Sequence, residues 1–221
     1  MDVLELMRGR HSVRQYRNHP IDDETKKKID AYISELNKES GLHMIAVYDE
    51  PECFNSRLAH YGHFEGVSDY IVIAGKKGVD NDEKAGYYGE LLVLRLQELG
   101  LRTCWVALTH GKSRAVLEKD EKEIIIISTG YGKTDGVPHR SKHVNRLSNL
   151  DDSSPDWFRR GVEGAMLAPT AVNQQRFRLS LIEGNRVKME VPRFGNLVKL
   201  DAGIVKCHFE LAAGKENFEW A

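Results

Sequence analysis

Apolar and polar positions along this chain fall into two rhythms. Spacings of three to four mark amphipathic helices, and short alternating or continuous apolar runs mark strands. Residues 2–9 read as a short helix. Asp22 or Asp23 caps a second one, with Ile29, Ile33 and Leu36 on one face and Gly41 as its stop. Lys26, Lys27 and Lys28 on that helix read as solvent-facing. Leu42–Tyr48 predicts a strand, followed by a loop of about 20 residues, a length that tends to be functional or mobile. Tyr70–Ala74 predicts a buried strand. Residues 82–99 predict a long helix, and Leu91, Leu92, Leu94, Leu96 and Leu99 leave it little polar face. Strands are predicted at 103–108 and 123–128, with a short helix at 113–118 between them. A Gly-rich loop follows. The last third predicts a helix at 157–167, strands at 176–183 and 186–191 around a Gly184-Asn185 turn, and a helix at 198–213. Phe218 and Trp220 in the tail are expected to pack back onto the body.

Length and composition narrow what such a chain can be. At 221 residues it is one large domain or two small ones, and 41% hydrophobic residues exclude a disordered chain. The polar, turn-rich stretch 149–155 is the one internal boundary. A formal net charge of −1 argues against a protein that coats nucleic acid. No apolar run approaches the ~20 residues that span a bilayer. The start Met1-Asp2-Val3-Leu4-Glu5 lacks the layout of a signal peptide, so a cytoplasmic location is expected. Cys53, Cys104 and Cys207 are odd in number and widely spaced, which implies neither a disulfide framework nor a zinc site. Cys104 and Cys207 read as small buried hydrophobes. Nine histidines show no metal-binding spacing, so no metal is expected.

Three segments hold groups that can do chemistry. In Arg10-His11-Ser12-Val13-Arg14, two guanidinium groups flank a hydroxyl at alternate positions. In an extended segment these point the same way and can converge on one anion, for which bidentate Arg is well shaped. A solvated basic arm is the plain alternative. Arg140 and Lys142 follow the Gly-rich loop and form a second basic cluster, either a phosphate site or loop surface. Residues 168–175, Ala-Pro-Thr-Ala-Val-Asn-Gln-Gln, form a polar loop that Pro169 keeps from being helical. Thr170, Asn173 and Gln175 offer donors and acceptors for the edge of a heterocycle, or they merely cap a helix end. Neither a dinucleotide fingerprint nor a serine nucleophile elbow is present.

Together these segments resemble the nitroreductase family of FMN-dependent oxidoreductases. Arg10-x-Ser12-x-Arg14, with Tyr16 and Pro20 behind it, is similar to the family's N-terminal phosphate motif. Gly100-Leu101-Arg102-Thr103-Cys104-Trp105-Val106 resembles its Gly-Leu-Gly-Thr-Cys-Trp segment. Ser128-Thr129-Gly130-Tyr131-Gly132 resembles its late Gly-Tyr strand end. Residues 168–175 resemble its Ala-Pro-Ser-x-x-Asn-x-Gln-Pro-Trp segment, with Arg176 in place of the Pro. The order differs from that of an ordinary member, where the Ala-Pro-Ser segment comes before the Gly-Leu-Gly segment.

The resemblance implies an α+β, nitroreductase-like fold: a central mixed, mostly antiparallel sheet flanked by helices, with an internal pseudo-two-fold duplication. Ordinary members are homodimers whose FMN takes the phosphate motif from one subunit and the Ala-Pro-Ser loop from the other. Here residues 1–148 would be one half and residues 155–221 a truncated second half, making an internal pseudo-dimer with one FMN per chain and a monomeric protein. By the same resemblance Arg10, Ser12 and Arg14 hold the FMN phosphate, assisted by Arg140 and Lys142. Pro169, Thr170, Ala171 and Asn173 lie against the flavin ring, and the backbone of Ala107 and Leu108 faces its N5. The family often has Glu-Gly at that last place. The implied reaction passes hydride from NADH or NADPH through FMN to a nitroaromatic, quinone or similar flat small-molecule acceptor. It requires no catalytic side chain among the residues named. A flavin sensor or carrier without turnover is the second reading, and a nucleic-acid surface the third. No membrane partner is expected.

Overall fold

A computed structural model describes residues 2–221. Seven helices and seven strands are present among them. In chain order they are α1 (Val3–Gly9), α2 (Asp23–Ser40), β1 (His43–Val47), α3 (Arg57–Tyr61), β2 (Asp69–Lys76), α4 (Asp82–Glu98), β3 (Arg102–Val106), β4 (Glu121–Gly130), α5 (Val144–Leu147), α6 (Asp156–Leu167), β5 (Arg178–Leu181), β6 (Arg186–Glu190), α7 (Val198–Ala213) and β7 (Glu219–Trp220). The chain packs as two compact units, each discontinuous in sequence. One comprises residues 10–81 and 91–137, and the other residues 1–9, 82–90 and 138–221. This division follows packing and is a different cut from the motif halves 1–148 and 155–221.

The unit of residues 10–81 and 91–137 is built on a four-stranded sheet in the order β1-β2-β4-β3, antiparallel throughout. β2 and β4 are the inner strands, with Ile71 opposite Ile127 and Val72 opposite Ile126, all fully buried. α2 begins where the Asp22 carboxylate accepts from the Thr25 N–H at 2.9 Å, and ends at Gly41. Gly41 has φ 67, a left-handed conformation that costs glycine nothing, and its N–H closes the helix on Asn37 O. Asn37 then clamps the next strand: its side chain donates to Met44 O at 3.0 Å and accepts from Met44 N at 2.8 Å. Lys27 and Lys28 are exposed as expected, while Lys26 is half-buried and pairs with Asp49 at 2.9 Å.

Two expectations fail in this unit. Residues 113–118 are not helical. Their burial alternates, with Ala115 and Leu117 packed on the core and Arg114 and Val116 exposed, so the period is two. The buried Tyr70 hydroxyl accepts from the Arg114 N–H at 3.1 Å and holds this stretch extended. The long loop after β1 is also not featureless: it carries a 3-10 turn at Glu52–Phe54 and α3, capped by the Ser56 hydroxyl accepting from Ala59 N.

The second unit pairs α6 with α7. Gly161 and Gly164 make room for this: a Cβ on Gly161 would meet the Phe209 ring at 2.5 Å, and one on Gly164 would meet His208 O at 2.8 Å. Between the helices lies a fully buried pair. His208 Nδ1 donates to Gly164 O at 3.0 Å, and its Nε2 lies 2.8 Å from Glu90 Oε1. A carbonyl only accepts, so Nδ1 carries a proton. Phe218 and Trp220 fold back as predicted, their ring centroids 5.0 and 5.3 Å from that of Phe209. The strands here form a separate sheet, β5-β6-β7, antiparallel between β5 and β6 and parallel between β6 and β7. The single central sheet expected from the sequence is therefore two sheets, because β7 extends β6 and not the four-stranded layer.

Candidate functional site

The segment Arg10–Tyr16 is extended, and backbone bonds hold it in place. Val13 N donates to Thr103 O at 2.9 Å, so the segment runs along the free edge of β3, and Ser12 forms a parallel bridge with Thr103. On its other side, Glu65 N donates to Arg14 O and Tyr16 N to Glu65 O. Val13 and Tyr16 point inward, and the Tyr16 hydroxyl donates to Val13 O at 2.7 Å and reaches the Ser128 hydroxyl at 2.9 Å. Ser12 and Arg14 are exposed, and Arg14 lies over the Phe64 ring at 5.9 Å. Arg10 is only 4% exposed.

The buried Cys104 thiol senses this segment. Burial raises its thiol pKa, while the Arg14 charge, a hydrogen bond from Ser12 and the Arg10 charge each oppose that rise. Arg10 and Arg14 thus contribute positive charge near Cys104, and Ser12 contributes a hydrogen bond. Guanidinium groups and a hydroxyl are donor types that suit a phosphate monoester. The nearby Asp135 is already engaged by Arg102 at 2.5 Å. Ala107 and Leu108 follow β3 as a bend, with Ala107 half-buried and Leu108 81% exposed.

In the other unit, the loop of residues 168–175 follows α6. The helix stops at Leu167 because Pro169 cannot continue it, and Ala168 turns to ψ 131. Three non-glycine residues of the loop, Val172, Asn173 and Gln175, adopt positive φ values of 45, 55 and 42. Such backbone persists only where neighbours impose it. Two sets of bonds do so. The Asn173 and Gln175 side chains both donate to Arg140 O at 2.9 Å, and Gln175 also donates to Asn173 Oδ1 at 2.6 Å. Lys142 N donates to Gln175 Oε1 at 2.7 Å, and its ammonium donates to Gln174 O and Gln175 O. Arg140 and Lys142, which the sequence offers as a separate basic cluster, are therefore tied to the loop by backbone and amide bonds.

The second set centres on Asp201, a residue that the sequence does not mark. It lies in the first turn of α7, only 6% exposed, and its carboxylate accepts from Ala171 N at 2.9 Å and Gln174 Nε2 at 2.6 Å. Burial raises its pKa, and those two donors pull it only partly back. An acidic residue in a first helical turn usually serves the helix itself. Nothing in the sequence shows that its partners lie about 30 residues earlier. Thr170 completes the loop by accepting from Gln175 N at 3.0 Å. Pro169 and Ala171 stay half-buried.

Solved structures place this architecture. It matches a structure described as "a putative nitroreductase" from Thermotoga maritima, with a TM-score of 0.70 and 23% identity, over 99% of this chain and 87% of that one. A second, "a putative nitroreductase in complex with FMN" from Desulfovibrio desulfuricans, matches with a TM-score of 0.53 and 20% identity, over 70% of this chain and 99% of that one. A third, from Parabacteroides distasonis and described as "Putative NADH dehydrogenase/NAD(P)H nitroreductase", gives 0.51 and 18% over 70% of this chain. The fold is thus the α+β nitroreductase-like one, here with two sheets flanked by helices. The family model described as "Putative TM nitroreductase" matches residues 2–213, and the chain belongs to that family. No curated protein matches it. Among the described residues no helix is long and apolar enough to cross a membrane.

Proposed function

We propose that the protein is an FMN-dependent oxidoreductase that takes hydride from NADH or NADPH and passes it to a nitroaromatic, quinone or similar flat acceptor. The observation that carries this reading is the extended Arg10–Arg14 segment fixed along the β3 edge through Ser12 and Val13 at Thr103, with Ser12 and Arg14 exposed there. The family membership and the FMN bound to the Desulfovibrio relative support it.

Arg10, Ser12 and Arg14 hold the phosphate by charge-assisted hydrogen bonds. Pro169, Thr170, Ala171 and Asn173 shape a stiff, polar-edged wall for the ring, and Arg140 and Lys142 fix that wall through the bonds already described. Ala107 and Leu108 offer backbone N–H groups toward N5. FMN, when bound, supplies the hydride chemistry; the protein supplies position and electrostatics. One chain carries both the phosphate motif and the ring loop, so the reading includes an internal pseudo-dimer of residues 1–148 and 155–221 that is monomeric and binds one FMN.

Anaerobic mixing of the FMN-loaded protein with NADH and with NADPH tests this. Loss of the yellow colour within the turnover time of an ordinary enzyme is expected. A flavin that stays oxidised with both donors leaves only a sensor or carrier and defeats the enzymatic reading.

A further inference from the structure

Two buried polar side chains lie beneath the stretch 107–118 that connects β3 to β4. Tyr70, near the start of β2, is fully buried, and Glu50, 2% exposed, precedes the 3-10 turn at Glu52–Phe54. The Tyr70 hydroxyl donates to Glu50 Oε2 at 2.6 Å and accepts from Arg114 N at 3.1 Å. Glu50 Oε1 accepts from Glu52 N at 3.0 Å, and Arg114 Nε lies 3.5 Å from it. The turn that Glu50 holds in this way grips the connection a second time, since Cys53 O accepts from Gly111 N at 2.6 Å. A third contact is steric: a Cβ on Gly62 would meet Thr109 Cβ at 2.7 Å. The connection is thus pinned at 109, 111 and 114, directly after Ala107 and Leu108. At its other end the same segment reaches the phosphate motif. The rings of Tyr70, Phe54 and Phe64 follow one another at 5.7 and 5.1 Å, Arg14 lies over Phe64 at 5.9 Å, and Glu65 N donates to Arg14 O at 3.0 Å. All of this lies within one compact unit.

Taking a carboxylate out of water is costly unless donors surround it, and apolar side chains fill such space without that cost. What the polar pair adds is direction. Hydrogen bonds fix the register of residues 109–114 along residues 50–65, whereas apolar contacts alone would let the two slide. We propose that Tyr70 and Glu50 are positioning residues for hydride transfer. Through Arg114 and the 52–54 turn they set the place of the Ala107–Leu108 backbone relative to Arg14, and so the geometry at the flavin's N5 edge. The role rests on the flavin reading above; the clamp itself does not. Reacting geometry is sensitive at this scale, since a misplacement of about 1 Å costs about a hundredfold in rate.

The test is Tyr70→Phe in the full chain, which removes one hydroxyl and keeps the ring contacts. Hydrogen exchange, with and without FMN, reads the clamp. The Gly111 and Arg114 amides should exchange about five- to tenfold faster than in the wild type. Anaerobic reduction of the FMN-loaded protein by saturating NADH or NADPH reads the function. Its limiting rate should fall about tenfold, with the half-saturating donor concentration and FMN affinity within about twofold of the wild type. Leu36→Ala is the control: it cuts a buried side chain on α2, away from the clamp, and should lower the thermal midpoint with the limiting rate unchanged. Unchanged exchange at both amides overturns the clamp. Faster exchange with an unchanged reduction rate leaves Tyr70 a structural residue and overturns the positioning role, as does an equal fall in rate in Leu36→Ala. A protein that takes up no FMN overturns the role at N5 by defeating the flavin reading itself, an outcome that exchange without FMN keeps distinct from failure of the clamp.

Discussion

Removing the Asp201 carboxylate should free the loop of residues 168–175 while leaving the rest of the fold in place. The loop holds Val172, Asn173 and Gln175 at positive φ, at a cost of about 1 kcal/mol each. Against that strain of about 3 kcal/mol, Asp201 makes two hydrogen bonds, to Ala171 N and to Gln174 Nε2. Each contributes about 1–1.5 kcal/mol net, so the anchor and the strain are of similar size. In Asp201→Ala the strain is unopposed from that side, and loop opening should become easier by about 2–3 kcal/mol, a fall of roughly 30- to 150-fold in protection. Native-state hydrogen exchange reads this at the Asn173 and Gln174 amides, which bond Thr170 O and Ala171 O at 2.9 Å.

Asp201→Asn should restore most of the protection. Its Oδ1 still accepts from Ala171 N, and the Gln174 amide can turn over to meet its new N–H groups. The pH dependence has a definite sign. Burial raises the Asp201 pKa, so its ionisation costs more in the folded than in the unfolded chain. The stability it contributes is complete below the ordinary carboxylate pKa and is lost as pH rises through the raised one. Asp201→Asn should therefore gain on the wild type as pH increases through that window. Protection in Asp201→Ala within threefold of the wild type would refute the reasoning, as would a loss spread evenly over all protected amides.

Two further outcomes follow from packing and burial. Gly203→Ala on α7 places a Cβ 1.8 Å from Glu83 O on α4, and should lower the urea unfolding free energy by about 3 kcal/mol or more, or bar folding altogether; an unchanged midpoint would contradict the close helix approach. Cys53, Cys104 and Cys207 are all buried, with the Cys53 pKa pushed up to about 11 and the other two also raised. An alkylating reagent at about pH 8 should label none of them in the native protein and all three after unfolding, since the thiolate is the reactive form; rapid native labelling of any one would contradict its burial.

Helices were legible in the sequence where one side is apolar and the ends are chemically marked. Asp22, Gly41 and the Ile29-Ile33-Leu36 stripe define α2 almost to the residue. The buried strands β2 and β4 were legible because both faces are apolar. Residues 113–118 misled because Ala115 and Leu117 fit a helix as well as a strand over so short a span, and the deciding contact, the Tyr70 hydroxyl, lies over 40 residues away. The second sheet was hidden for a related reason: β7 is only two residues long and pairs with β6 in parallel. Of the candidate site, the alternation in Arg10–Arg14 marked an extended segment, which the structure has, but it did not foretell that Arg10 would be buried while Ser12 and Arg14 stay exposed. The loop's polar residues were visible, but Asp201 was not, because a lone first-turn carboxylate carries no sign of a distant partner.

The most direct test of the central claim is to measure bound FMN per chain together with molar mass in solution after saturation with FMN. The account predicts a monomer that holds one FMN, and FMN retention that falls by about tenfold or more when Arg10 and Arg14 are both replaced by Ala. A colourless protein, or two FMN per chain, would contradict it.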